Sequence, residues 1–214
     1  MNRWERAQEA EMQFKRKYYQ SDREPTAIAD SMLEYRAIGV DPLTVTGRVV
    51  DIGGAQGSLT VPLSNAAERI VVDPLYEKIK VDLPGICGIA AVGEDLPFTN
   101  ASVNFIILRN VIDHMLDPEA IVREARRVLA PDGLVYFMVN TFLPPLKPLF
   151  PVLDRIDGPH PVHLTNSDIR NMLSKYFHVM RERTCGSGLP SLHPKRLAGW
   201  LIKREYYALL SLRT

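Results

Sequence analysis

The sequence predicts an α/β fold built on a doubly wound, mostly parallel sheet. Three observations carry this. From Arg48 onward, short apolar runs alternate with amphipathic segments. Each run is β-branched-rich and apolar on consecutive positions, the texture of a strand buried on both faces. The first run stops at a glycine-rich turn, and open α/β sheets bind ligands at such strand ends.

The elements follow in order. Residues 2–20 read as a helix, with Trp4, Ala7, Glu11, Phe14 and Tyr18 at spacings of three and four. A second helix runs from Thr26 to Ile38, opened by Pro25, ended by Gly39, and burying Ile28, Met32, Leu33 and Tyr35. Strands are expected at 49–53, 69–73, 86–92, 103–109 and 134–139, and a helix after the glycine turn. PEAIVREARRVLAPDG (118–133) places Ile121, Val122, Ala125, Val128 and Leu129 on one helical face, with Gly133 at the stop. Residues 141–163 hold Pro144, Pro145, Pro148, Pro151, Pro159 and Pro161 among leucines and phenylalanines. Regular helix is not expected through them, and a long apolar loop in a compact domain suggests a lid. A helix over 165–177 is capped by Thr165 or Ser167. Strands at 177–184 and 206–213, joined by a loop and a short helix (195–204), close the sheet as an antiparallel pair.

Composition narrows the function. The chain has 214 residues, enough for one domain with small additions. Lys plus Arg is 26 and Asp plus Glu is 25, a net charge of +1. This argues against a globally basic nucleic-acid binder. No apolar run is long enough to cross a membrane, and the N-terminus lacks the apolar centre of a secretory signal. A cytoplasmic protein is expected. The charged N-terminal helix reads first as a solvated face and second as a peripheral membrane contact. Cys87 and Cys185 form no CxxC and are expected to pack as small apolar residues. No metal-ligand spacing is visible, so no metal is expected.

VVDIGGAQGSL (49–59) carries the most chemistry. Gly53, Gly54 and Gly57 let the backbone approach a ligand. A dinucleotide fingerprint would need GxGxxG, but Ala55 and Ser58 stand where glycines belong. Asp51 opposes a pyrophosphate and suits a ligand bearing a positive amino acid group. Asp73, at the next strand end and followed by Pro74, suits ribose hydroxyls or a helix cap. The third strand end, VGEDLPF (92–98), offers Glu94, Asp95 and Leu96 to a base.

DIGGAQG, VVDP, GEDLPF, VNFIILRNVIDHMLDPEAIVREARRVLAPDG and LVYFMV together resemble the class I S-adenosylmethionine-dependent methyltransferases. The subgroup most similar is that of the ubiquinone/menaquinone C-methyltransferases (methyltransferase type 11). The likeness covers about residues 45–140. It implies a Rossmann-like, doubly wound, mostly parallel seven-stranded sheet with a C-terminal antiparallel strand. Residues 1–44 form an N-terminal helical extension, 45–214 the methyltransferase domain, and 141–163 its lid. The cofactor implied is S-adenosyl-L-methionine, leaving as S-adenosyl-L-homocysteine. Asp51, Gly53, Gly54, Gly57, Asp73, Pro74, Glu94, Asp95, Leu96 and Asn110 take the cofactor positions, and Arg109 lines the pocket beside Asn110. Ala55 departs from the family's glycine, and Val92 from its adenine-binding acid.

His114 is the candidate general base, since imidazole titrates near neutral pH. Asp113 is a weaker candidate. His160 and His163 are candidate substrate contacts flanking the lid. The apolar lid suggests a small-molecule acceptor of lipophilic or glycan type. Two rival readings are a non-catalytic S-adenosylmethionine-binding subunit and an NAD-dependent oxidoreductase. Nucleic-acid methylation is disfavoured, because Asn140 to Pro145 lacks the spacing of an Asn/Asp-Pro-Pro-aromatic motif.

Overall fold

The computed structural model describes residues 9, 12–13, 24–54, 57–79, 84–115, 117–156, 160–186 and 202–213. The helix expected over 2–20, apart from three of its positions, lies outside the described residues. So do Ala55 and residues 195–201 of the helix expected over 195–204, whereas Lys203 and Arg204 lie in a strand instead.

Seven strands make one sheet: β1 (Arg48–Ile52), β2 (Glu68–Val72), β3 (Cys87–Ile89), β4 (Val103–Arg109), β5 (Leu129–Phe142), β6 (Phe177–Gly186) and β7 (Lys203–Leu212). Their order is β3-β2-β1-β4-β5-β7-β6. The first five strands run parallel, and β7 lies antiparallel between β5 and β6. The order reverses between β1 and β4, which opens a crevice at their carboxyl ends.

Alternation along the buried strands divides the core. Val50, Ile52, Ile106, Leu108, Val135 and Phe137 face one layer. They pack there against α3 (Pro118–Val128) and α5 (Asn166–Leu173) through Ile121, Val122, Ile169 and Leu173. Val49, Phe105, Ile107, Tyr136 and Leu209 face the other, with Tyr35 and Ile38 at the end of α1 (Glu24–Ala37). The edge strand β6 carries exposed Arg181, Glu182 and Arg183, charges that discourage pairing with another chain.

Several expectations are corrected. Leu33 is 62% exposed, because Ser31, Tyr35 and Ile38 share the buried stripe of α1 and Leu33 falls opposite. Residues 57–63 form consecutive hydrogen-bonded turns in place of a helix, and Pro62 removes a donor there. α3 ends at Val128, and Leu129 already pairs with Val103 in the sheet. β3 is shorter than the 86–92 run. The proline-rich segment does form helix: a 3-10 stretch, Pro144–Leu149, leads into α4 (Phe150–Ile156). Pro144 and Pro151 stand in first turns, where the missing N–H has no partner to lose. Cys87 is exposed on its edge strand and Cys185 half-buried. Thr165 caps α5, in a reciprocal box with Asp168. A short helix, α2 (Tyr76–Ile79), follows β2.

Candidate functional site

Asp51 sits at the centre of the sheet, paired across to Val71 and Ile107. It is 2% exposed, and its Oδ1 finds no hydrogen-bond donor among the described residues. Burial pushes its carboxyl up to about 8; Arg109 pulls against this, while Asp73 and Glu34 add to it. A buried carboxylate with an unmet oxygen is costly, and a cationic ligand group relieves that cost. The glycine turn lies against it. Gly53 adopts φ +73° and Gly57 φ +64°, which L side chains resist. A Cβ on Gly54 would run into the Asp51 carboxylate, so the turn leaves no room for a side chain there.

Asp73 lies two residues past the Asp51–Val71 register and is likewise buried. Its Oδ1 accepts the Leu75 N–H at 2.8 Å, and its own N–H donates to Ile89 at 3.1 Å. The turn-forming role expected of Asp73 and half-buried Pro74 is therefore present.

At the third strand end, Glu94 is half-buried, and burial raises its carboxyl above the ordinary range. Asp95 is exposed, Leu96 buried and Val92 half-buried. The loop is fixed from α3. Glu124 accepts the Leu96 N–H at 2.9 Å, and Arg127 donates to the Leu96 and Phe98 carbonyls at 2.9 and 2.7 Å. Sequence reasoning missed this clamp, although Glu124 and Arg127 stand three apart on one helix face.

The β4 end holds a second missed network. Arg109 makes a bidentate pair with Glu34 of α1, at 2.8 and 2.6 Å, and Tyr136 donates to the same carboxylate at 3.0 Å. Next to it Asn110 takes φ +50° and accepts from Asn140 at 2.6 Å, tying the ends of β4 and β5 together.

The histidines separate into two groups. His114 ends a 3-10 turn, Ile112–His114, and its ring lies 4.7 Å from that of His160. The Val162 N–H donates to the Asp113 carbonyl at 3.4 Å, holding the two segments together. His163 instead turns inward. Its Nδ1 lies 2.7 Å from the Asp154 carboxylate, its backbone N–H donates to the same oxygen at 3.0 Å, and its ring packs on Phe142 and Phe150. This placement fastens α4 to the sheet.

Among curated proteins, an uncharacterized protein of Methanocaldococcus jannaschii is 33% identical over 90 residues, 42% of each chain. An uncharacterized methyltransferase of Mycobacterium tuberculosis is 29% identical over 103 residues, 45% of this chain and 41% of its own. The matches thus span about two fifths of those relatives. Among solved structures, an S-adenosylmethionine-dependent methyltransferase of Thermotoga maritima superposes with TM-score 0.63 at 17% identity, covering 99% of this chain and all (100%) of the other. Geranyl diphosphate C-methyltransferase of Streptomyces coelicolor gives 0.62 at 12% identity, covering 86% and 77%. These neighbours share the fold. The family model described as methyltransferase domain matches residues 19–203, most of the chain. That match spans well over half of the sequence: the chain belongs to the methyltransferase domain family.

Proposed function

We propose that the chain methylates a small-molecule acceptor that enters between the β4–β5 strand ends and the proline-rich lid. The observation that carries the cofactor half of this reading is the Asp51 Oδ1, buried beside the glycine turn and without a donor among the described residues. The donor set fits S-adenosylmethionine. Asp51 receives its ammonium group, and the Gly53, Gly54 and Gly57 backbone lies along the methionine part. Asp73, with Pro74, takes the ribose hydroxyls. Glu94, Asp95 and Leu96 would border the adenine. Asn110, held by Asn140, lies toward the reacting end.

The bound cofactor supplies a methyl group on a sulfonium, whose departure leaves a neutral thioether. The protein's share is alignment and exclusion of water, which can contribute roughly 7–11 kcal/mol. The apolar lid, with Leu149 and Val152 among its exposed side chains, favours a lipophilic or glycan-linked acceptor. His114 and His160, whose rings lie 4.7 Å apart, are our candidates to meet it. Within the N-terminal extension, α1 acts as a cap on the domain formed by 45–214, since Ser31 and Tyr35 bond to the Ser58 and Leu59 carbonyls beyond the glycine turn.

Calorimetric titration with S-adenosylmethionine, S-adenosylhomocysteine and NADH tests the cofactor assignment, with Asp73→Ala alongside. Micromolar binding of the adenosyl ligands alone, lost in the variant, supports it. An acceptor panel then tests transfer, and binding without any turnover would favour the non-catalytic reading.

A further inference from the structure

Asp113 is a third buried carboxylate, after Asp51 and Asp73, and the transfer reading does not use it. It is 5% exposed, and its Oδ1 finds no hydrogen-bond donor among the described residues. A neutral structural role would leave this oxygen's desolvation uncompensated. The Nε2 of His114 lies 3.9 Å from that oxygen, too long for a hydrogen bond. A ring nitrogen of His160, near the end of the lid segment, completes a group. One ligand atom from each of Asp113, His114 and His160 lies within 4.8 Å of the others.

We propose that Asp113, His114 and His160 bind one divalent transition-metal ion, with zinc the best match. The donor set is two imidazoles and one carboxylate. Imidazole nitrogen favours zinc and its neighbours over magnesium and calcium, which prefer all-oxygen sets. Zinc bonds of about 2.0–2.2 Å need the ligand atoms to draw in by on the order of an ångström. The half-buried His114 and His160 rings allow this by rotation, while buried Asp113 stays as the fixed anchor.

The site joins two pieces of chain. Asp113 and His114 follow the end of β4, and His160 belongs to the segment returning from α4. Backbone pairing of Val162 with Asp113 already sets these pieces side by side. An ion here would fasten the lid to the sheet. Three protein ligands also leave zinc an open position for water or an acceptor oxygen. Only that last contact rests on the transfer reading; binding of the ion does not. The chain alone hides the group, because two ligands are adjacent and the third comes from the lid segment about 46 residues later, a spacing no metal motif shares.

The test uses the full-length chain stripped with chelator, then titrated with zinc chloride by calorimetry and with cobalt chloride by visible absorption. One ion per chain at micromolar or tighter affinity is expected, with cobalt d–d bands of low coordination number. His160→Ala should weaken binding by roughly tenfold or more. Asp113→Asn, which keeps shape and removes charge, should do the same. Circular dichroism confirms that each variant is folded. Absence of binding at about 100 μM metal, or affinity and cobalt spectrum unchanged in folded His160→Ala, overturns the proposal. Zinc binding by a chain that fails to bind S-adenosylhomocysteine would sink the cofactor assignment and leave the metal site standing.

Discussion

The Tyr35 hydroxyl donates to the Leu59 carbonyl at 2.7 Å, so α1 holds the segment just past the cofactor turn through a fully buried side chain. Burial drives this phenol far above its ordinary pKa, so it remains a donor at every working pH. Tyr35→Phe keeps the ring and removes the donor. It should cost about 1–3 kcal/mol, because the Leu59 carbonyl loses a buried partner. Adenosylhomocysteine affinity should fall several-fold as the turn loosens. Chemical denaturation and calorimetry measure the two effects, and unchanged affinity would separate the cap from the site.

Asp51 makes stability depend on pH in an unusual direction. Its folded pKa is pushed from 3.8 to about 8, so the folded state holds a proton that the unfolded state releases. The resulting stabilisation is full below about pH 4 and is lost as pH rises toward about 8, a swing of up to a few kcal/mol. Asp51→Asn should flatten that slope in the ligand-free protein and weaken cofactor binding at least about tenfold, by loss of the charged partner. Denaturation from pH 4.5 to 8.5, roughly the window of the two pKa values, reads the slope directly. A rising slope in wild type would refute the assignment.

The same proton gives a binding signature. An ammonium group docking on Asp51 favours the ionised carboxylate, so binding at neutral pH should release a fraction of a proton. Calorimetry in buffers of different ionisation enthalpy detects it. No buffer dependence in wild type, or an equal release in Asp51→Asn, would show that another group is responsible.

Arg127 fixes the base-side loop from α3. Arg127→Met strips donors from the Leu96 and Phe98 carbonyls and leaves Glu124 without its guanidinium. We expect a loss of about 1–3 kcal/mol in stability. Discrimination between adenosyl and inosyl ligands should narrow as well, while Asp51-dependent proton release persists.

His163→Ala should act on the lid alone. Removing the ring breaks the 2.7 Å contact to Asp154 and the packing against Phe142 and Phe150. Limited proteolysis should then cut within 144–163 faster, with adenosylhomocysteine affinity unchanged. Equal cleavage rates would mean that the lid is held elsewhere.

The strands were legible because their signal is local: β-branched runs such as VNFIILR leave little choice of structure. The glycine turn and its two acids were legible for the same reason, since each stands at a strand end. Contacts between distant segments were not. The Glu34–Arg109 pair closes 75 residues of separation and carries no motif. His114 and His160 could both be named, but not their meeting between the β4 end and the lid. The α4 helix was missed because proline was weighed as a breaker, whereas Pro151 occupies a first turn, where proline is at home.

The position of β7 has a consequence for how the chain assembles during synthesis. β6 is made before β7, yet it touches the sheet only across β7. Until β7 is available, β5 presents an open edge and β6 has nothing to pair with. Growth from the N-terminal side can therefore complete β1 to β5 early, while the last two strands must lock together in one late, non-local step. A ribosome stalled before residue 203 would hold a sheet with its β5 edge uncovered, the state most exposed to capture by a chaperone or by another copy of itself.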